Sequence, residues 1–219
     1  IEHKDKLSKE DKAFCKEIVL STISNLFADN YDYQISDGVE ASFHAIPALI
    51  NEYPEETEKY ILIMVLTLFD ETPLGGYKRI CDYVIESIHK SNLWKQNSKV
   101  AQSILFGYIK LKPIYKNIVA QKRKEIGWGR ISKSSILEEL EKTNADFTFE
   151  EISFDINDIS SLDIHDLEIV LQLIPSDTKD KIHLDIYEKS LPFLASHLLK
   201  DRRSYKDDSG GDSNIYSLR

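Results

Sequence analysis

The stretch Tyr60-Ile-Leu-Ile-Met-Val-Leu-Thr-Leu-Phe69 constrains this chain more than any other. Wound as a helix it is apolar on every side, and a helix without a polar face needs neighbours all round it. It is too short to span a bilayer, which takes about 20 apolar residues. A strand is the other option for so short a run, but the preceding residues favour a helix. Tyr53-Pro54 ends one element, Pro54 suits a first helical turn, and Glu55, Glu56 and Glu58 lie near the positive end of the helix dipole. The run therefore predicts a helix sandwiched inside a stack of others.

The rest of the chain supplies those neighbours. Glycine (8) and proline (6) are scarce in 219 residues, and 42% of the residues are hydrophobic. Few turn-formers favour long elements over a β-sandwich. Apolar residues at helical spacing predict a first helix over 9–28 (Phe14, Ile18, Ile23, Leu26, Phe27) and a second over 39–53 (Val39, Phe43, Ile46, Leu49, Ile50), capped by Ser36 or Asp37 and kinked at Pro47. The fourth covers 77–90. A fifth is capped by Asn97 or Ser98, and Pro113 opens a sixth running to about Glu125. Gly127-Trp-Gly129 interrupts, and Ser134 or Ser135 caps a short helix carrying Ile136, Leu137 and Leu140. Residues 147–156 alternate imperfectly and read as one short strand or an irregular link. Two more helices follow, one broken at Pro175 and one kinked near Pro192. Beyond Lys200 the composition predicts a loop or disorder.

The division that results is an N-terminal helical block over 1–126, a connector over 127–159, a helix pair over 160–200 and a polar loop or tail over 201–219. The chain opens on Ile1 and closes on a polar stretch, which reads as a fragment of a longer polypeptide. No leader or bilayer-spanning run is visible. Cys15 and Cys81 both fall in apolar helical stretches and read as inert core thiols of a reducing, cytoplasmic compartment.

Most familiar catalytic chemistry lacks its motif here. The sequence has no phosphate loop, no dinucleotide-binding glycine pattern, no H-E-x-x-H, no C-x-x-C and no G-x-S-x-G. The six histidines are scattered with no His–His pair four apart, so neither a metal site nor a cofactor is expected. Glu40 and His44 do share a helix face, which reads as a surface pair. A general base with its orienting carboxylate is the sharper alternative, and an unrecognised enzyme would use Glu40, His44, Asp70 or Asp82 in a cleft. The run 207–212 has calcium-loop composition without calcium-loop spacing.

The net charge is −9, a field that opposes nucleic acid and anionic membrane. One segment runs the other way. Lys110, Lys112, Lys116, Lys122, Arg123, Lys124, Arg130 and Lys133 face only Glu125, a local +7 that leaves −16 for the remainder. Tyr108, Tyr115 and Trp128 interleave with these cations, the combination a nucleic-acid strand needs. A solvated basic face that balances acidic neighbours is the plainer reading.

The stretch from Ala48 to Ile50, Pro54 and the helix from Tyr60 parallels the stretch from Leu171 to Ile174, Pro175 and the helix from Ile182. A helical hairpin cannot bury its apolar face alone, so repeated hairpins stack into an α-solenoid, with a globular bundle as the alternative. The run from Tyr33 to Ile50, with Leu66-Thr-Leu-Phe-Asp-Glu-Thr-Pro-Leu-Gly75, resembles HEAT-type helical repeats. It also resembles the helical regions of large bacterial STAND-type NTPases, including those of anti-phage defence. The resemblance implies an all-α stack of antiparallel helix pairs acting as a non-catalytic sensor or scaffold. None of the ATPase residues of that family has a counterpart here. A protein partner, or other domains of the parent chain, would bind along the solenoid through aromatic anchors such as Tyr77, Tyr108 or Trp128. Nucleic-acid binding through residues 110–133 is the rival expectation.

Overall fold

The computed structural model describes residues 8–27, 36–71, 79–127, 131–143, 148–149 and 152–208. These residues form an all-α fold. Its helices are α1 (Lys9–Phe27), α2 (Ser36–Glu52), α3 (Thr57–Leu68), α4 (Ile80–Lys90), α5 (Leu93–Gln96), α6 (Ser98–Ile126), α7 (Lys133–Thr143), α8 (Ile164–Leu173) and α9 (Lys181–Asp208), with 3-10 turns at Pro54–Glu56 and Ile156–Ser161. Among the described residues, no helix is long and apolar enough to cross a membrane.

Helix α3 packs between α4 and α6, as its sequence requires. Tyr60, Met64, Val65 and Leu68 are fully buried, while Leu62, Ile63 and Leu66 are half-buried. Helix α2 lies on α1 and α4, and α6 carries α7 and α8, with α9 on α8. Although adjacent in sequence, α2 and α3 touch each other less than each touches the helices beyond. One core runs from Val39 on α2 to Ile186 on α9, and a small second cluster joins Ile118 of α6 to Ile136 and Leu140 of α7.

Proline does not break α6. The expected boundary at Pro113 is absent, and one helix of 29 residues runs through it. Pro113 cannot donate to the carbonyl of Ile109, a cost of about 3 kcal/mol in a helix interior. Ile104, Leu105, Tyr108 and Leu111 before it, and Ile118 after it, bury their side chains. Each such burial is worth about 1.5–3 kcal/mol, so packing wins. The helix ends at Gly127, whose φ of +67° favours glycine and whose N–H reaches the Arg123 carbonyl at 2.9 Å. Ser132 rather than Ser134 or Ser135 caps α7, its Oγ accepting the Ser135 N–H at 3.4 Å.

Of the possible strand over 147–156, residues 148–149 and 152–156 are described: 148–149 and 152–155 are irregular and Ile156 opens a 3-10 turn. Phe149 is buried against α6. Its N–H donates to Glu58 Oε2 at 3.1 Å and its carbonyl accepts from Ser103 Oγ at 3.0 Å. Side chains, not a neighbouring strand, satisfy this backbone. Phe154 stacks on Phe106 with centroids 4.9 Å apart. Further on, α9 continues past Lys200 to Asp208, where a loop was expected. Lys200, Arg202 and Arg203 are good helix formers, so the helical register has no local reason to stop there.

Helix α1 also departs from expectation. Phe14 and Ile18 are exposed, at 63% and 49%, and Cys15 is exposed rather than in the core. The buried-side contacts of α1 come from Val19 and Leu20, together with ion pairs from Lys12 to Glu52 (2.9 Å) and from Lys16 to Glu56. Lys16 also lies 4.2 Å from the Tyr53 ring centroid. Among the described residues α1 packs chiefly on α2, which leaves part of its apolar surface uncovered. Cys81 is buried as expected, and burial pushes its thiol up to about 12.

The α8–α9 corner is tied to the rest through polar atoms. Trp94 Nε1 and His89 Nε2 donate to the Leu173 and Gln172 carbonyls at 2.9 and 2.7 Å, satisfying the end of α8. His183 sits beneath, 3% exposed, edge-on to Trp94 at 4.6 Å. Thr178 Oγ1 accepts the Asp180 N–H, so its hydroxyl proton is available to His183 Nδ1 at 2.7 Å. Burial pulls the imidazole below its ordinary 6.5, against the attraction of Asp180. The fold therefore holds His183 neutral, with its full contribution above the unfolded value. That contribution is lost as pH falls from about 6.5 through the lower folded value. The expected result is a melting temperature that drops between neutral and mildly acidic pH. His183→Phe should flatten that drop, and an unchanged slope would remove this residue as the cause.

Candidate functional site

The cations from Lys110 to Lys124 lie along α6, and the fold has matched the first three to acids. Lys110 Nζ is 3.0 Å from Asp158. Lys112, 2% exposed, reaches Glu71 at 3.1 Å and Asp166 at 3.6 Å. Its ammonium lies among the rings of Phe69, Tyr108 and Tyr115, with centroids 5.6, 5.7 and 5.9 Å away. Lys116 bridges Asp163 and Asp166, each at 2.5 Å. Asp163 and Asp166 also form the capping box of α8. Asp163 Oδ1 accepts the His165 and Asp166 N–H groups, both at 3.0 Å, and Asp166 Oδ2 accepts the Asp163 N–H at 3.2 Å. Burial would raise the Asp163 carboxyl, but Lys116 and these amides outweigh it and hold the group at about 2. The acids balancing these cations lie far off in sequence, on the Asp158 turn, at the start of α8 and beside α3.

The last turn of α6 carries Lys122, half-buried, and Arg123 and Lys124, exposed. Cations at a helix C-terminus complement its dipole. Lys133 starts α7, while Trp128 and Arg130 lie outside the described residues, as does Tyr77. Tyr108 cannot be a surface anchor, because it is fully buried beside Phe69 (5.7 Å), with its hydroxyl 3.4 Å from Asp166. Burial first, and then the Asp166 charge, drive its phenol far above the ordinary range. Tyr115 packs its ring 4.7 Å from Phe69 and is half-buried.

A second constellation lies on the α2–α4 seam. Glu40 and His44 approach to 3.4 Å, as their spacing predicts. Glu86 of α4 joins them, and the ligand atoms of all three fall within 4.8 Å of one another. Lys90 Nζ stands beside them, 2.9 Å from Glu86, 3.5 Å from His44 Nε2 and 3.6 Å from Glu40. A search for paired histidines misses this group, because one carboxylate comes from another helix. Of the other suggested acids, Asp82 pairs with Arg79 at 2.9 Å.

The third feature is the outer side of α9. Leu184 and Leu191, two turns apart, are 50% and 60% exposed on one face, while Phe193, 46% exposed, lies about half a turn round the helix from them. Phe193, Pro192 and Ile156 line a groove of about 430 Å³, edged by Asp185, Glu188 and Lys189. The helical spacing of Leu191 carries no sign of which face stays uncovered.

No protein-family model matches the chain, and no functionally characterised protein is detectably similar to it in sequence.

Proposed function

We propose that this chain is a non-catalytic helical-repeat scaffold that binds an apolar segment of a protein partner along α9. The observation that carries this reading is the exposed row of Leu184 and Leu191, next to Glu188 on the rim of the groove. Apolar residues on an outer helix, rimmed by charges, suit an amphipathic helix laid into a groove. The internal ion pairs of Lys110, Lys112 and Lys116 weigh against a phosphate-binding role for the first half of the basic segment. The HEAT-like resemblance fits the same reading, as a sensor or scaffold part of a larger cytoplasmic protein of the STAND type. The test is a photo-crosslinking amino acid placed at Leu191 or Phe193, with the exposed Glu168 of α8 as control position. A discrete partner crosslinked from α9 and not from Glu168 is the expected result. Equal labelling from all three positions would overturn the assignment.

A further inference from the structure

We propose that Glu40, His44 and Glu86 form a binding site for a divalent transition-metal cation, zinc above all. The argument begins with the helices. Glu40 and His44 stand one turn apart on α2, as Glu86 and Lys90 do on α4, so each helix presents its pair on one face. The two faces are locked together beside the site, where the buried Ser87 hydroxyl donates to the Phe43 carbonyl at 2.7 Å. Ser87 follows Glu86 and Phe43 precedes His44, so this bond fixes both ligand-bearing backbones.

One donor separation already suits a shared metal ion. The Glu40 Oε1 to His44 Nε2 separation is 3.4 Å. Two ligands at about 2.1 Å from a tetrahedral zinc lie about 3.4 Å apart. Glu86 needs only side-chain rotation to close the set, since all three donor atoms already fall within 4.8 Å. Lys90 marks the point on which they converge, because its ammonium contacts each of the three. That ammonium is a tethered, singly charged occupant. At 58% exposure its side chain can swing into water and leave its place to a dipositive ion. An imidazole nitrogen beside two carboxylates selects zinc and its neighbours over magnesium or calcium, which prefer all-oxygen sets. Three protein ligands leave a fourth position for water.

The experiment is calorimetric titration of the protein with zinc chloride at neutral pH, in a non-chelating buffer. One saturable site per chain is expected, insensitive to excess magnesium. Lys90→Gln should tighten it several-fold by removing the competing ammonium. His44→Ala and Glu86→Gln, each checked for unchanged helical content, should weaken it by more than the about 10–100-fold typical of a lost outer-shell partner. Absence of stoichiometric binding in both the wild type and Lys90→Gln would overturn the site. So would zinc affinity that survives His44→Ala and Glu86→Gln, which would place the ion on other groups such as the exposed Cys15.

Discussion

Asp166→Ala is expected to lower folding stability by about 3–5 kcal/mol, the cost of breaking a buried ion pair from one side. Asp166 is 1% exposed and receives Lys116 at 2.5 Å, the Tyr108 hydroxyl at 3.4 Å and Lys112 at 3.6 Å. Its loss leaves the Lys112 ammonium in an aromatic cage with the half-exposed Glu71 as its remaining acid among the described residues. The α8 capping box loses its second member as well, worth about 1 kcal/mol. Urea denaturation should show the midpoint falling sharply with little change in slope. The double variant Lys112→Met, Asp166→Leu should recover much of the loss, because an apolar pair needs no compensating charge. A loss below about 1 kcal/mol for Asp166→Ala would mean that water reaches the network and that it behaves as a surface pair.

Gly107→Val is expected to cost about 1–3 kcal/mol through overpacking, with the damage confined to the link that crosses α6. A Cβ at Gly107 would lie 2.6 Å from Phe149 Cε1 and 3.1 Å from Val65 Cγ2. The Phe149 ring must leave, and the bonds from Phe149 N–H to Glu58 and from Ser103 to the Phe149 carbonyl go with it. Hydrogen exchange at the Phe149 amide should accelerate by orders of magnitude while amides of α8 keep their protection. Gly107→Ala should be milder, since alanine regains up to about 1 kcal/mol of helix propensity. Uniformly faster exchange would show that the link is part of the main cooperative unit and not a separately opening strap.

These two positions show where the sequence was readable. Gly107 looks like any glycine in a helical run, and nothing local reveals that Phe149 fills the space its missing side chain leaves. Asp166 follows Asp163 at capping-box spacing, and that role is local to the start of α8. Its second role, neutralising Lys112 and Lys116, depends on partners on α6. The basic segment is legible as charge but not as surface, because charge density along the chain is blind to acids brought in from elsewhere. Pro113 misleads for a related reason. Its local cost is fixed, but the burial that overrides it belongs to the whole stack.

The sequence by itself determined the helical character of the chain. Helical spacing, the scarcity of glycine and proline, and the all-apolar run at Tyr60–Phe69 each act over a few turns, and their effects survive in α2, α3, α4 and α8. It also determined that α3 lies inside, because a helix without a polar face has no stable place elsewhere. Only the tertiary structure decided which apolar faces stay uncovered. The exposure of Phe14 on α1 and of Leu191 on α9 follows from how many neighbours each helix finds. Only the tertiary structure, likewise, turned three isolated residues into the Glu40–His44–Glu86 group. Local pattern specifies a helix, but two helices must cross before their side chains share a point in space.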